Sequence, residues 1–145
     1  MGDAKIFRLS EIEPLKLIGA TGSDAGWMKK IIYPPKVITK GLFSGVAEVN
    51  PGYSPHRWHT HISDKFEEYE AIYPEDFEEM YFIVSGSGVV QWNTEDGKTK
   101  EEKVGAGDTI LFPAGVGKHQ LLNSGSEKMF IVFCGYPTAK VKGHK

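Results

Sequence analysis

Seventeen glycines and eight prolines punctuate a chain of 145 residues, and no long amphipathic helix is visible among them. The runs between them are short and rich in β-branched and aromatic side chains, which favours strands over helices. Strands are expected over residues 15–18, 28–33, 42–50, 57–62, 78–85, 89–93, 98–104, 109–112, 119–123 and 129–134. Asp96-Gly97 is the sharpest hairpin signal, because glycine supplies the positive φ of a tight turn, and Gly86-Ser87-Gly88 marks a second. Many short strands with turn residues between them predict an all-β, antiparallel sandwich or barrel and argue against a doubly wound α/β sheet.

A chain of this length needs one hydrophobic core and no staple, since a domain of about 150 residues buries roughly 68–70% of its unfolded surface. Seventeen Lys and Arg against nineteen Asp and Glu leave a net charge of −2. That balance argues against a general nucleic-acid binder, which needs a basic excess to displace counterions from phosphate. The single cysteine, Cys134, excludes an internal disulfide framework and a cysteine-only zinc cluster, and reads as a small buried hydrophobe. No apolar run approaches the roughly 20 residues of a membrane span, and residues 1–10 carry no signal-like apolar stretch. The expectation is a soluble, cytoplasmic protein with no membrane partner.

One segment breaks the strand rhythm. Residues 64–77, with Glu78 and Glu79, hold eight of the nineteen acidic residues. Asp64 and Glu67 resemble a capping box, Phe66, Tyr69 and Tyr73 fall at helical spacing, and Pro74 would end the helix. A short helical or lid-like insertion and a solvated acidic loop both fit. If those carboxylates face a site, they would repel anions and favour a neutral or cationic substrate. The residues 140–145 read as a frayed polar tail.

Three of five histidines crowd into six residues: His56, His59 and His61. On a strand over 57–62, alternation places His59 and His61 on one face. Two imidazoles converging there suit a transition metal, although histidines on a solvent-facing strand would look the same. Glu79 heads an apolar strand with Tyr81 and Ile83 on its own face and Phe82 and Val84 on the other, so both faces look buried. A buried carboxylate needs a cation or strong donors, unless it sits at a strand edge within reach of water. His119 opens the run HQLLN, with Leu121 on its face. It reads either as a ligand or as a core histidine satisfied by a carbonyl.

These blocks resemble the paired motifs of the cupin superfamily, small antiparallel barrels of the jelly-roll (double-stranded β-helix) type. The first is matched by Gly52, His59-Thr60-His61, Glu79 and Gly86, with six residues between the last two. The second is matched by Gly107, Pro113-Ala114-Gly115, His119 and Asn123. Two turn gaps are slightly longer than the family's common pattern. Seventeen residues separate His61 from Glu79, where that pattern has only a few. Insertions of that kind are tolerated in loops, and this one coincides with the acidic segment. The resemblance implies one barrel domain over residues 1–145, with its core at about 41–133.

The resemblance further implies one divalent transition metal (Fe, Mn, Ni, Co, Zn or Cu) held by His59, His61, Glu79 and His119, with open positions for a small-molecule substrate. His56 is then a spare: an orienting partner of a ligand, a substrate contact or a surface residue. Glu79, Tyr81 or an acid of the insertion could move protons, although Tyr81 also reads as core. Lys118 could meet an anion, Gln91 could point into the barrel, and Trp58 reads as packing. The function expected is metal-dependent lyase or isomerase chemistry on a sugar-like compound or a hydroxy or keto acid. The alternatives are an iron-dependent dioxygenase and a non-catalytic binding barrel. Pairing through the face of Phe82 and Val84 implies a homodimer.

Overall fold

The computed structural model describes residues 2–34, 36–61 and 77–137. Among these residues nine strands follow one another: β1 (Leu15–Ile18), β2 (Asp24–Ile32), β3 (Phe43–Val49), β4 (Phe77–Ser85), β5 (Ser87–Asn93), β6 (Thr99–Gly105), β7 (Thr109–Phe112), β8 (His119–Leu122) and β9 (Met129–Pro137). A single 3-10 turn at Leu9–Glu11 precedes them. They form a six-stranded sheet in the order β1-β2-β3-β9-β4-β7 and a three-stranded sheet in the order β6-β5-β8. Every strand pair is antiparallel. The placement of β9 between β3 and β4 is a long-range crossover of the jelly-roll kind.

Alternation sets the core. Along β4, Phe77, Glu79, Tyr81 and Ile83 are buried and Glu78, Phe82 and Val84 are exposed. Phe43, Ala47, Val49, Ile131 and Phe133 join from the neighbouring strands, and Val90 and Leu121 close the core from the small sheet. The Asp96-Gly97 turn joins β5 to β6 as expected, with Gly97 at φ 77°. Gly86 turns β4 into β5 at φ 88°, and a Cβ there would lie 2.8 Å from the Met129 Cα.

Several expectations are corrected. Of the strand expected over 57–62, the described residues 57–61 form one isolated bridge, between His59 and His119. Phe77 is the first residue of β4, not the end of an insertion, and the helix-or-lid expectation otherwise lies outside the described residues, as does the polar tail. Phe82 and Val84 are not buried: they are 37% and 46% exposed, because among the described residues none covers the outer face of the large sheet there. Trp58 is exposed too. Cys134 is only half-buried, opposite Met80 on the register of β4 and β9.

Candidate metal centre

Two backbone hydrogen bonds, His59 N–H to His119 O at 3.2 Å and His119 N–H to His59 O at 3.0 Å, make the two histidines cross-strand neighbours. Their ring centroids are 4.5 Å apart. The next residue but one brings in His61, whose ring lies 5.7 Å from that of His59 and 4.7 Å from that of His119. The three are 7%, 8% and 0% exposed. One ligating nitrogen from each lies within 4.8 Å of the other two, the metal-competent group among the described residues.

The orientation of each ring is set by a backbone carbonyl. Nδ1–H of His59 donates to Arg57 O at 2.6 Å, that of His61 to Phe77 O at 2.8 Å, and that of His119 to Gly117 O at 2.9 Å. A carbonyl can only accept, so these bonds assign the proton to Nδ1 and the lone pair to Nε2 in all three. This is how metal-binding imidazoles are commonly fixed. The Gly117 carbonyl comes from the lengthened turn before His119, so the extra residue does not disturb the centre. His119 Nε2 is buried with no hydrogen-bond partner. Leaving such an acceptor unmet costs about 1–3 kcal/mol, and a metal cation on the lone pair would offset it. The donor set, three imidazoles and no thiolate, fits a first-row transition metal.

Aromatic walls hold two of the rings. Phe77 stacks on His61 at 3.9 Å and 10°, and Phe112 stacks on His119 at 4.2 Å and 24°. Tyr81, 2% exposed, meets Phe112 edge-on at 5.0 Å. Glu79 is buried at 4%, and its Oε1 lies 3.6 Å from His61 Nε2, beside the histidine trio. His56 is outside that group, with its half-buried ring 5.3 Å from His59.

Burial pushes the His119 imidazole down to about 3; the Gly117 carbonyl opposes the shift, and the neighbouring His59 and His61 add to it. His56 is also pushed well below its ordinary value, by burial first and then by the charges of His59 and Lys30. Between about pH 6.5 and pH 3, the unfolded chain therefore binds protons that the folded metal-free protein refuses. Stability is present above that window and falls as the pH drops through it. His119 alone accounts for about 2 kcal/mol between pH 7 and pH 5. Urea midpoints of metal-free protein at the two pH values should show that loss and should show less of it in His119→Gln.

Gln91, one of the open assignments, points outward: its Nε2 donates to Glu101 and its Oε1 accepts from Gln120. Its neighbour Trp92 instead pairs with His119 across β5 and β8 and packs against the core, a neighbour of the centre that the sequence alone did not reveal. The strand pattern of 89–93 fits either parity, and only the register with His119 decides it.

A model of the cupin domain matches residues 67–135, which takes in Glu79 and His119 but begins after His59 and His61. No curated protein matches the sequence. Among solved structures, a predicted oxalate decarboxylase from Thermotoga maritima superposes with a TM-score of 0.65 at 21% identity, covering 92% of this chain and 99% of that one. A sugar phosphate isomerase of the cupin superfamily from Silicibacter pomeroyi gives 0.62 at 17%, with 91% and 75% covered. A cupin 2 conserved barrel domain protein from Salinispora arenicola gives 0.57 at 16%, with 99% and 95% covered. Identities this low speak for the fold alone. Residues 67–135 match the cupin domain, and the sheet order and the solved structures agree with that match on a cupin-type barrel fold.

Proposed function

We propose that this cupin is a metal-dependent enzyme acting on a small oxygenated molecule through lyase or isomerase chemistry. The observation that carries the reading is the convergence of three Nε2 lone pairs, each fixed by a carbonyl on Nδ1. A divalent metal held there by His59, His61 and His119, with Glu79 beside them, would polarise substrate oxygens and acidify an adjacent C–H or O–H. Substrate would present neighbouring oxygens to the open side of the centre. Glu79, buried against His61, either completes the ligand set or takes up the proton released. Tyr81 shares the inner strand face of Glu79, and in this reading its phenol would hold a substrate hydroxyl or carboxylate. Phe77 and Phe112 keep the imidazoles aligned and keep water away from their faces.

The similar structures named as an oxalate decarboxylase and a sugar phosphate isomerase support this class and leave the substrate open. Metal content by elemental analysis, followed by assay of small hydroxy acids, keto acids and sugars with and without chelator, tests it. Turnover that chelator abolishes supports the reading. Iron with oxygen uptake would replace it by the dioxygenase, and tight metal binding with no turnover would replace it by a binding barrel.

The same reading includes one barrel over the whole chain and a homodimer. Phe82, Val84 and Leu111, 37%, 46% and 64% exposed, lie on the outer face of the large sheet, and apolar patches of this kind commonly meet a partner. Light scattering should give twice the 16.1 kDa of the chain, and Phe82→Glu should halve that mass. A wild-type monomer at all concentrations would contradict the dimer.

A further inference from the structure

A cleft of about 380 Å3 opens between the end of β1 and the loop that carries the histidines. Leu17 and Ile18 line it from β1, and His56, Arg57, Trp58 and His59 line it from the loop, so it reaches a member of the histidine trio. Its volume falls in the range of about 300–1,000 Å3 common for small-molecule sites. Both walls are fixed. Gly19, directly after β1, lies against Tyr53, where a Cβ would sit 2.5 Å from the ring, and Tyr53 O accepts from Asn123 N–H at 2.8 Å. Arg57 is held through its carbonyl, which accepts from His59 Nδ1–H at 2.6 Å.

The lining divides by chemistry. Trp58 is 36% and Ile18 57% exposed, so two large apolar side chains meet water on one cleft. Arg57 is exposed as well, and no described lining residue is acidic. Its guanidinium makes no ion pair with a described carboxylate. A guanidinium fork matches both oxygens of a carboxylate, and an indole face beside it covers an apolar body. A neutral sugar would supply no counter-charge to the fork.

We propose that this cleft is a binding subsite for a small carboxylic acid with an apolar or aromatic body. The carboxylate lies on Arg57, the body lies between Trp58 and Ile18, and His59 sets the subsite against the candidate metal centre. The subsite is built without the metal. That its occupant is the substrate, an acid rather than a neutral sugar, rests on the metal-dependent reading above. The proposal opposes the expectation that the acidic segment 64–77 favours a neutral or cationic substrate, and one experiment separates the two.

Full-length, metal-free protein is titrated in a calorimeter with phenylacetate, with its neutral analogue phenylacetamide and with acetate, which lacks the body. Wild type should bind phenylacetate about tenfold more tightly than either, the worth of one charge-assisted hydrogen bond. Arg57→Met should remove the preference over the amide and leave the amide affinity unchanged, and Arg57→Lys should keep the preference. Trp58→Ala should weaken acid and amide alike. If Arg57→Met fails to fold, Arg57→Gln carries the same readout. Wild type that binds phenylacetate in this way but takes up no Co(II) removes the metal-dependent reading and leaves the subsite standing. The subsite is overturned by absent phenylacetate binding, by a preference for the amide, or by a preference for the acid that survives Arg57→Met or Arg57→Gln.

Discussion

His119→Ala is expected to lower transition-metal affinity by at least about 100-fold, the upper end of what losing even an outer-shell partner costs a metal site. His119 is the keystone of the trio. Its backbone binds His59 from both sides at 3.2 and 3.0 Å, and its ring lies within 4.7 Å of both other imidazoles. The substitution keeps the backbone pairing and removes one lone pair, together with the face on which Phe112 stacks. In metal-free protein the same change removes a buried acceptor with no hydrogen-bond partner but leaves a cavity, so the two effects on stability oppose each other. Cobalt titration followed in the visible spectrum reads the affinity. A loss below about threefold would mean that His119 is a packed core histidine after all.

Asn123→Ala should cost about 3 kcal/mol of stability or more while leaving metal binding unchanged in the protein that remains folded. Asn123 is fully buried, and its amide ties the end of β3 to the turn over residues 123–127. Its Nδ2 donates to Val49 O and Glu127 O, both at 2.8 Å, and its Oδ1 accepts from Gly125 N–H at 3.1 Å. Its backbone ties in Gly52 and Tyr53, each at 2.8 Å. Alanine keeps the backbone bonds and strands two carbonyls and one N–H. Asn123→Asp would be informative as well, because a carboxylate can still accept from Gly125 but meets two carbonyls where the amide donated. Equilibrium urea denaturation gives both values. A loss under about 1 kcal/mol in the alanine variant would show that the clamp is redundant.

The all-β architecture was legible because alternation and turn chemistry are local. The bounds of β1 and β7 agree with expectation; β2, β4, β5 and β9 run longer, β3 and β8 shorter, and β6 is shifted by one residue. Pairing is not local, and the misses follow from that. Residues 57–62 look like a strand, yet a strand needs a continuous partner, and among the described residues 57–61 only His59 finds one, in His119. The parity of Gln91 and Trp92 is invisible until β5 registers against β8. The outer face of β4 looked buried because Phe82 and Val84 are apolar, and composition cannot tell a core from an uncovered face.

The candidate site was legible to a similar depth. Alternation put His59 and His61 on one face, the resemblance to the cupin motifs added His119, and strand parity put Glu79 and Tyr81 on the same face. The three carbonyls that fix the imidazoles belong to Arg57, Phe77 and Gly117, and no side-chain pattern signals a backbone acceptor.

X-ray absorption of the metal-reconstituted protein tests the central claim most directly, because it counts the imidazoles around the metal. The account predicts one metal per chain, with three imidazole nitrogens at about 2.0–2.1 Å and oxygen donors in the remaining positions. One imidazole or none, or protein that takes up no metal after reconstitution, would contradict it and leave the three histidines as packing of the barrel wall.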